Sequence, residues 1–394
     1  MKILSGEIVE ITSTNILIAF LIIWSIIYIM NTTKKQQLEK KSDNGENETP
    51  MGLKIYYGLF GILRTSAGLK IIDKVGKYKF WRKLSLWLIP LCMIISILTL
   101  YMFITSTINL FSGTVPKETS KPVIFLFGNL IPWIPGIVAL IIGITLHELA
   151  HGIVARAYNL KIKSTGLLLG LGIPLGAFVE LSDEFKETNN KIRGAVASAG
   201  PIANVIIFFI AIFTMPFVMN IDSPITISNV LEDYPAQGVL LKGDVIYSIN
   251  DHKINSLTSF QNAVKDIKPK EKIKITILRN NELKTITTLT TTKEGLIGIN
   301  AEASASISFI LQTLYWTSML NLMLGFFNLL PALPLDGFYI WNALPELIRD
   351  LKKGNKILNK ISTITEHLIN ERSLTSISLM VWGLIFVSMA YSFM

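Results

Sequence analysis

The 394-residue sequence predicts a polytopic α-helical membrane protein with about six transmembrane helices and an inserted α+β domain. Three observations support this fold class. Half of the residues are hydrophobic and only 16% are charged, whereas soluble domains contain about 25% charged residues. Six apolar segments approach the length of a membrane span, and a β-rich, more polar stretch of sequence separates the fourth segment from the fifth.

A transmembrane helix needs about 20 mostly apolar residues. The first apolar segment lacks a cleavage site of small residues, so we expect it to be retained as a helix. The six predicted spans are residues 12–30, 84–107, 135–157, 195–219, 308–330 and 374–394.

Two further apolar stretches are harder to assign. Residues 122–134 are short and interrupted by proline, and a re-entrant loop is left open for them. Residues 165–180 contain four glycines and one proline. Non-helical backbone at membrane depth is tolerated only where it is buried in protein or lines a wet cavity. The alternative, a kinked seventh span, would place Glu180 outside and conflict with the charge distribution.

Lysine and arginine residues near helix ends predict the orientation, because they are retained on the cytoplasmic side. Loop 31–83 holds twelve of them, loop 158–194 five and loop 331–373 six. Residues 1–13 and 108–134 on the other side hold one and two. Both termini are therefore predicted to be extracytoplasmic. The net charge of +9 is explained by these loops, so no nucleic-acid partner is expected.

The predicted chain organisation follows from these spans. Residues 52–83 mix lysines with aromatic residues and are expected to lie on the inner membrane surface. The predicted segments are the N-terminal helix (1–30), a cytoplasmic loop with a basic amphipathic segment (31–83), the first part of the membrane core (84–219), the extracytoplasmic domain (220–303), the second part of the core (304–340), a cytoplasmic loop (341–373) and the C-terminal helix (374–394).

The extracytoplasmic segment changes character. It contains four β-rich runs, ITISNVLE, DVIYSIN, KIKITILRN and LKTITTLTTT. A helical run, SLTSFQNAVKDI, lies between the second and third, with Ser256 or Thr258 placed to cap it. The single cysteine, Cys92, excludes an intrachain disulfide.

His147, Glu148 and His151 form the motif H-E-x-x-H inside the third predicted span. Residues i and i+4 share a helical face, so both imidazoles can reach one zinc ion. Glu148 is then placed to accept a proton from an activated water. Ionisable groups at this depth are energetically costly and indicate function. The alternative is a pair of structural histidines beside a protonated Glu148.

A third ligand must come from elsewhere in the chain. His252 and His367 lie in the outer domain and the last loop, which makes them poor candidates. Asp336, in "NLLPALPLDG", follows an inward-running helix and is expected at about the depth of His147. The prolines of this segment end the helix and would let the chain turn back toward the metal. Glu180, Asp183 and Glu184 are competitors in a more polar loop.

Together these residues carry a resemblance to a known family. H-E-L-A-H in a membrane helix, "SAGPIANV" opening the next, a domain insertion and N-x-x-P-x-x-P-L-D-G resemble the site-2 protease family of intramembrane zinc metalloproteases, over about residues 135–340. The resemblance implies His147, His151 and Asp336 as zinc ligands and Glu148 as general base. It also implies that Asn204 and Asn328 lie near the active site.

Two segments resemble further parts of that family. "PAQGVLLKGDVIYSINDHKI" and "GLIGIN", with Gly295 and Gly298, resemble PDZ domains, which bind peptide ends by strand addition. The alternative is a spacer domain that binds nothing. Residues 165–180, with Gly176, resemble a membrane-embedded β-hairpin whose edge pairs with unwound substrate.

The resemblance thus implies a multi-pass cell-membrane enzyme, in which one catalytic Zn²⁺ hydrolyses a peptide bond of a membrane-anchored protein substrate. The active site is expected in the cytoplasmic half of the bilayer. Two alternatives remain open at this point: a membrane metal transporter, and a catalytically inactive binding protein that carries a PDZ-like domain.

Overall fold

The computed structural model describes residues 18–19, 21–31, 52–116, 130–265, 267–351 and 356–394. It divides into two compact units. The first, here the membrane core unit, is Met1–Phe208 with Met319–Met394. The second, here the sheet unit, is Phe209–Ser318.

The helices, in chain order, are α1 (Leu21–Asn31), α2 (Leu69–Gly76), α3 (Phe80–Phe111), α4 (Trp133–Ala157), α5 (Glu184–Glu187), α6 (Asn190–Ala197), α7 (Ala199–Met219), α8 (Leu257–Lys265), α9 (Ala305–Asn328), α10 (Asp336–Asn342), α11 (Leu344–Leu351), α12 (Lys356–Leu368) and α13 (Glu371–Phe393). The strands are β1 (Gly52–Tyr56), β2 (Phe60–Thr65), β3 (Ile162–Gly170), β4 (Ile173–Leu181), β5 (Ile225–Val230), β6 (Val245–Ile249), β7 (His252–Lys253), β8 (Lys272–Arg279), β9 (Glu282–Thr290) and β10 (Ile299–Glu302).

Within the described residues, five helical segments are long and apolar enough to cross a membrane. They are α3, α4, α6 continued by α7, α9 and α13, and they match the last five predicted spans to within a few residues. The predicted first span at 12–30 lies partly outside the described residues, and α1 belongs to its described part. Most of the stretch 122–134 also lies outside them.

The predicted hairpin is present as β3 and β4, which pair antiparallel from Ile162 to Leu181. Its two-residue turn is Leu171–Gly172, and both residues have positive φ, as a type I′ turn requires. The strands therefore explain the glycine-rich sequence better than a kinked helix would. Their placement in a membrane stays a prediction.

The hairpin belongs to a larger sheet that the sequence analysis did not predict. The strand order is β1-β2-β3-β4, and all neighbouring strands are antiparallel. Strands β1 and β2 come from the segment that was expected to lie on the membrane surface. Tyr57 and Gly58 lie in the turn between β1 and β2, and both have positive φ. The signal was hidden because these strands are short and do not sustain an alternation of apolar with polar residues.

Helix α4 is fixed along its C-terminal half by α2. A Cβ on Gly152 would lie 2.6 Å from Cδ1 of Ile72, a side chain that is fully buried. Asp73 forms an ion pair with Arg156 at 2.7 Å. Gly152 therefore serves close helix packing.

The sheet unit is an α+β domain, as predicted. Its strand order is β10-β5-β6-β8-β9, with β7 paired to β6. Alternate residues of β5 and β8 point into one core, as the period of a strand dictates, whereas a register irregularity in β6 places Ile246 and Ile249 there. The fully buried isoleucines of these strands are Ile225, Ile227, Ile246, Ile249, Ile273, Ile275 and Ile277. Ser256 caps α8, because its Oγ accepts the Ser259 N–H at 3.1 Å.

A buried ion pair ties two strands of the sheet unit together. Arg279 donates to both carboxylate oxygens of Asp244 at 2.7 Å, and Asp244 is 2% exposed. Burial opposes ionisation of Asp244. The Arg279 guanidinium and the Leu241 N–H outweigh this effect and hold the pKa of Asp244 below its ordinary value.

Candidate metal and catalytic site

Helix α4 places His147 and His151 on one face, four residues apart, as the predicted motif requires. Their Nε2 atoms lie 3.1 Å apart and their ring centroids 4.7 Å apart. Both side chains are largely buried. Two nitrogen lone pairs can therefore converge on one point.

Asp336 supplies the third donor group of this cluster. The chain leaves α9 at Asn328, passes through a non-helical loop and begins α10 at Asp336. Asp336 Oδ2 lies 3.2 Å from His147 Nε2, and Oδ1 lies 3.3 Å from His151 Nε2. The structure thus brings together the three residues that the sequence predicted as ligands.

The spacing of these donor atoms fits zinc. Tetrahedral zinc with bonds of about 2.0–2.1 Å holds its ligand atoms roughly 3.3 Å apart. The two imidazole nitrogens, 3.1 Å apart, match that value, and each lies 3.2 or 3.3 Å from a different oxygen of Asp336. Two imidazoles with one carboxylate are also a donor set that zinc accepts, whereas Mg²⁺ and Ca²⁺ prefer oxygen ligands. Three protein donors leave the fourth position of a catalytic site open.

His151 is oriented by a backbone group. Its Nδ1 lies 2.8 Å from the Val196 carbonyl oxygen, so Nδ1–H donates there and Nε2 is left as the acceptor. Val196 belongs to α6, which therefore fixes the tautomer of this ligand.

Glu148 lies beside the cluster and is held by the hairpin. Its Oε2 accepts the Val179 N–H of β4 at 3.1 Å. Glu148 also lines a cavity of about 180 Å³ together with His147 and residues of β4, α7 and α9. A carboxylate at the wall of a cavity, next to three convergent donors, is suited to move a proton.

The three other core residues predicted near the active site line the same cavity: Asn204, Asn328 and Gly176. Asn204 is 1% exposed. Within the described part of the chain, neither atom of its amide has a hydrogen-bond partner. Buried amides are normally paired, so this amide is available to a ligand in the cavity.

Sequence reasoning missed the role of Gly200. A Cβ built on this residue would lie 2.6 Å from His147 Nε2 and closer still to His151 Nε2. Gly200 thus keeps the space beside the donor nitrogens clear. The quoted segment "SAGPIANV" contained this glycine, but one sequence carries no sign that it faces the histidines.

The competing carboxylates are used elsewhere. Glu180 accepts a hydrogen bond from the Ser164 hydroxyl at 2.6 Å and one from Arg64 at 3.4 Å, which hold its pKa below the ordinary value. Asp183 pairs with Lys163 and Glu184 with Lys161. Because these three carboxylates have other partners near the end of the hairpin, Asp336 remains as the third donor.

Gly295 and Gly298 belong to the sheet unit, so they are not part of this cluster. Both have positive φ and precede β10, and their PDZ-like role stays a prediction. The Gly298 carbonyl accepts the Leu231 N–H at 2.8 Å, and the Gly298 Cα packs against Tyr234.

The chain is similar in sequence to a known protein family. The sequence model of peptidase family M50 matches residues 135–368, which include all of the donors and Glu148. An uncharacterized protein of Methanocaldococcus jannaschii is 48% identical over 381 residues, covering 97% of this chain and 98% of that protein.

Two more distant relatives carry a name. A protein of Clostridium acetobutylicum is 28% identical over 171 residues, and one of Rickettsia conorii is 26% identical over 164 residues. Each is named "putative zinc metalloprotease". The matches cover 36% and 32% of this chain, and 49% and 45% of those proteins.

Proposed function

Since the chain belongs to peptidase family M50, the site-2 protease family, we propose that it is a zinc-dependent intramembrane endopeptidase. It hydrolyses a peptide bond in or near the transmembrane segment of a membrane-anchored protein. One observation carries the proposal: the donor atoms of His147, His151 and Asp336 lie within 4.8 Å of one another, next to Glu148 at the wall of a cavity.

In this proposal His147, His151 and Asp336 hold the zinc ion. A zinc ion bound there supplies Lewis acidity toward the scissile carbonyl and toward a water molecule. Glu148 accepts the proton of the attacking water and later donates it to the leaving amine. Because Oε2 of Glu148 is held by Val179, we assign the proton to Oε1.

Asn204 and Asn328 bind substrate in the cavity. The amide of Asn204 has a donor and an acceptor without protein partners among the described residues, so it can pair with a peptide group or with the developing oxyanion. A buried donor that is already in place needs no reorganisation during the reaction.

The substrate is bound in extended form beside β4. A helical peptide uses its carbonyl groups internally, so the cleaved segment must unwind before attack. Among the described strands β4 pairs only with β3, which leaves its other edge open to strand addition. Gly176 of β4 lines the catalytic cavity, so a paired peptide would pass the catalytic groups.

The sheet unit is proposed as a PDZ-like reader of a peptide end, on the extracytoplasmic side. Gly295 and Gly298 precede β10, which lies at the edge of its sheet and offers a strand for addition. The active site is placed in the cytoplasmic half of the membrane, and the partners are the substrate protein and the bilayer.

The test is the E148Q variant. Purified parent and E148Q proteins are compared for bound zinc and for cleavage of a membrane-spanning test substrate. We expect both to contain one zinc ion, while E148Q loses cleavage by at least about 100-fold, the usual contribution of general acid–base catalysis. A Gln variant that cleaves as fast as the parent would contradict the proposed mechanism.

The D336A variant tests the ligand set. Its zinc affinity should fall, since two of the three protein donors remain, whereas E180A keeps all three and should bind zinc like the parent.

Zinc flux into proteoliposomes separates the proposal from a transporter. If the parent and the E148Q variant both transport zinc, and at equal rates, the result would favour a transporter.

A further inference from the structure

The loop Leu329–Leu335, here the ligand loop, carries the chain from α9 to Asp336. Its backbone is not helical, so its N–H and C=O groups cannot all be paired within the segment. In a protein that spans a membrane such groups need partners from neighbouring elements. The partners of this loop therefore decide where Asp336 lies.

Helix α13 provides partners for both backbone groups of one loop residue. The Leu333 N–H donates to Ser378 Oγ at 2.8 Å. The Leu333 carbonyl accepts from Trp382 Nε1 at 2.6 Å. Ser378 and Trp382 are four residues apart and so share one face of α13.

The same face of α13 also packs on the ligand loop through apolar side chains. Val381 and Ile385 form a buried cluster with Leu330, Ala332 and Leu335. The Trp382 ring lies edge-to-face against Phe327, near the end of α9, at 6.2 Å. The contact therefore combines hydrogen bonds, which fix the backbone position, with close packing around them.

The contact is close to the metal ligand in the chain. Leu333 precedes Asp336 by three residues, and the Leu335 N–H donates to the Ala332 carbonyl at 2.7 Å, which makes the intervening turn tight. A shift of Leu333 would therefore move the Asp336 carboxylate. Partners that orient a metal ligand typically contribute about 10- to 100-fold to metal affinity.

We propose that α13, which lies beyond the family match to residues 135–368, is part of the metal site: Ser378 and Trp382 are positioning residues that hold the backbone of Leu333 and thereby place Asp336. The inference rests on the zinc site of the proposed function.

The experiment compares two variants that are isosteric with each other, S378T and S378V. Threonine keeps the hydroxyl acceptor, and valine has the same shape without it. We expect S378T to bind zinc like the parent and S378V to bind it about 10-fold more weakly. Zinc affinity is measured by chelator competition, and the site geometry by the visible spectrum of the cobalt-loaded protein.

Two further variants serve as a second probe and as a control. W382F keeps an aromatic ring but removes the Nε1–H donor together with part of the indole, so it should also bind zinc about 10-fold more weakly. It decides the question if S378V fails to fold. S388V makes the same change at another buried serine of α13, which bonds Thr107 at 3.4 Å, and should leave zinc affinity unchanged.

Hydrogen exchange separates this inference from the proposed function. In metal-free protein, amides of residues 329–337 should exchange faster in S378V and W382F than in the parent or S388V. Exchange can be read even if the parent binds no zinc, an outcome that would overturn the proposed function alone. Unchanged exchange in both variants, or equal zinc affinity of S378V and S378T, would overturn the role of α13.

Discussion

Gly200 occupies the second position of α7, directly beside the imidazoles of His147 and His151. We expect G200A to weaken zinc binding about 10- to 100-fold, because the new methyl group would overlap the donor nitrogens and overpacking costs roughly 1–3 kcal/mol. Zinc affinity by chelator competition measures the effect.

A matched change elsewhere controls for the loss of a helical glycine. A Cβ on Gly383 of α13 would meet nothing within 4 Å, so G383A should bind zinc like the parent. If G200A and G383A bind zinc equally well, the steric account of Gly200 is wrong.

Asn204 carries a different prediction, because its amide is buried without a partner among the described residues. An unsatisfied buried amide costs about 1–3 kcal/mol, so N204L should raise the melting temperature. It should also reduce kcat/KM by about 100-fold, since a donor to the substrate is lost. A thermal unfolding scan and a cleavage assay measure the two effects. A lower melting temperature with full activity would show that the amide serves the fold.

The residues of the site were predictable to different degrees. His147 and His151 follow from helical geometry, which fixes the i, i+4 pair whatever surrounds it. Asp336 depends on how the ligand loop turns back, so it was indicated only indirectly, by the shared depth of two helix ends and by the family resemblance of its segment. Gly200 matters because it has no side chain, and Val196 contributes only its backbone carbonyl. No side-chain pattern in the sequence could therefore reveal either residue.

Helix α6 links two of the ligands at the scale of secondary structure. Its Val196 carbonyl orients His151, and α10, which begins with Asp336, packs against it where Gly194 meets Ala343. The N-terminus of α6 is held by a carboxylate from α11. Glu346 accepts the Asn190 N–H at 3.3 Å and the Lys191 N–H at 2.9 Å.

We therefore expect E346A to destabilise the protein by about 1 kcal/mol, a typical net contribution of a hydrogen bond, because the Asn189 cap of α6 remains. Zinc affinity should fall as well, because α6 supports the orientation of His151. Thermal unfolding and chelator competition measure the two changes. E366A is the control, since the exposed pair of Glu366 with Arg349 contributes little. Equal unfolding curves for E346A and E366A would contradict this role of Glu346.

Elements were predictable where one physical rule dominates. Five spans follow from length and hydropathy, because helices are the simplest way to satisfy the backbone in a membrane. Strands β1 and β2 were not predictable, because a four-stranded sheet depends on pairing with β3, about 100 residues further along the chain. Such long-range pairing leaves no local mark beyond the turn residues Tyr57 and Gly58.

The orientation of the whole molecule is the remaining property that the sequence predicts, and it rests on the lysine and arginine residues of the loops. An even number of predicted spans, α7 and α9, separates Lys186 from Lys360, so both should be cytoplasmic. One span separates Lys186 from Lys268, so Lys268 should be outside. All three lysines are exposed. The single cysteine, Cys92, is fully buried, so single-cysteine reporters can be introduced without background labelling.

We expect K268C to react with a membrane-impermeant maleimide in intact cells, and K186C and K360C to react only after the membrane is permeabilised. Labelling followed by gel analysis of the purified chain measures this. If only one of K186C and K360C reacts in intact cells, the number of crossings between them is odd. His147 and Asp336 would then not lie at the same depth. The reverse pattern for all three would keep the fold but place the catalytic cavity in the outer half of the membrane.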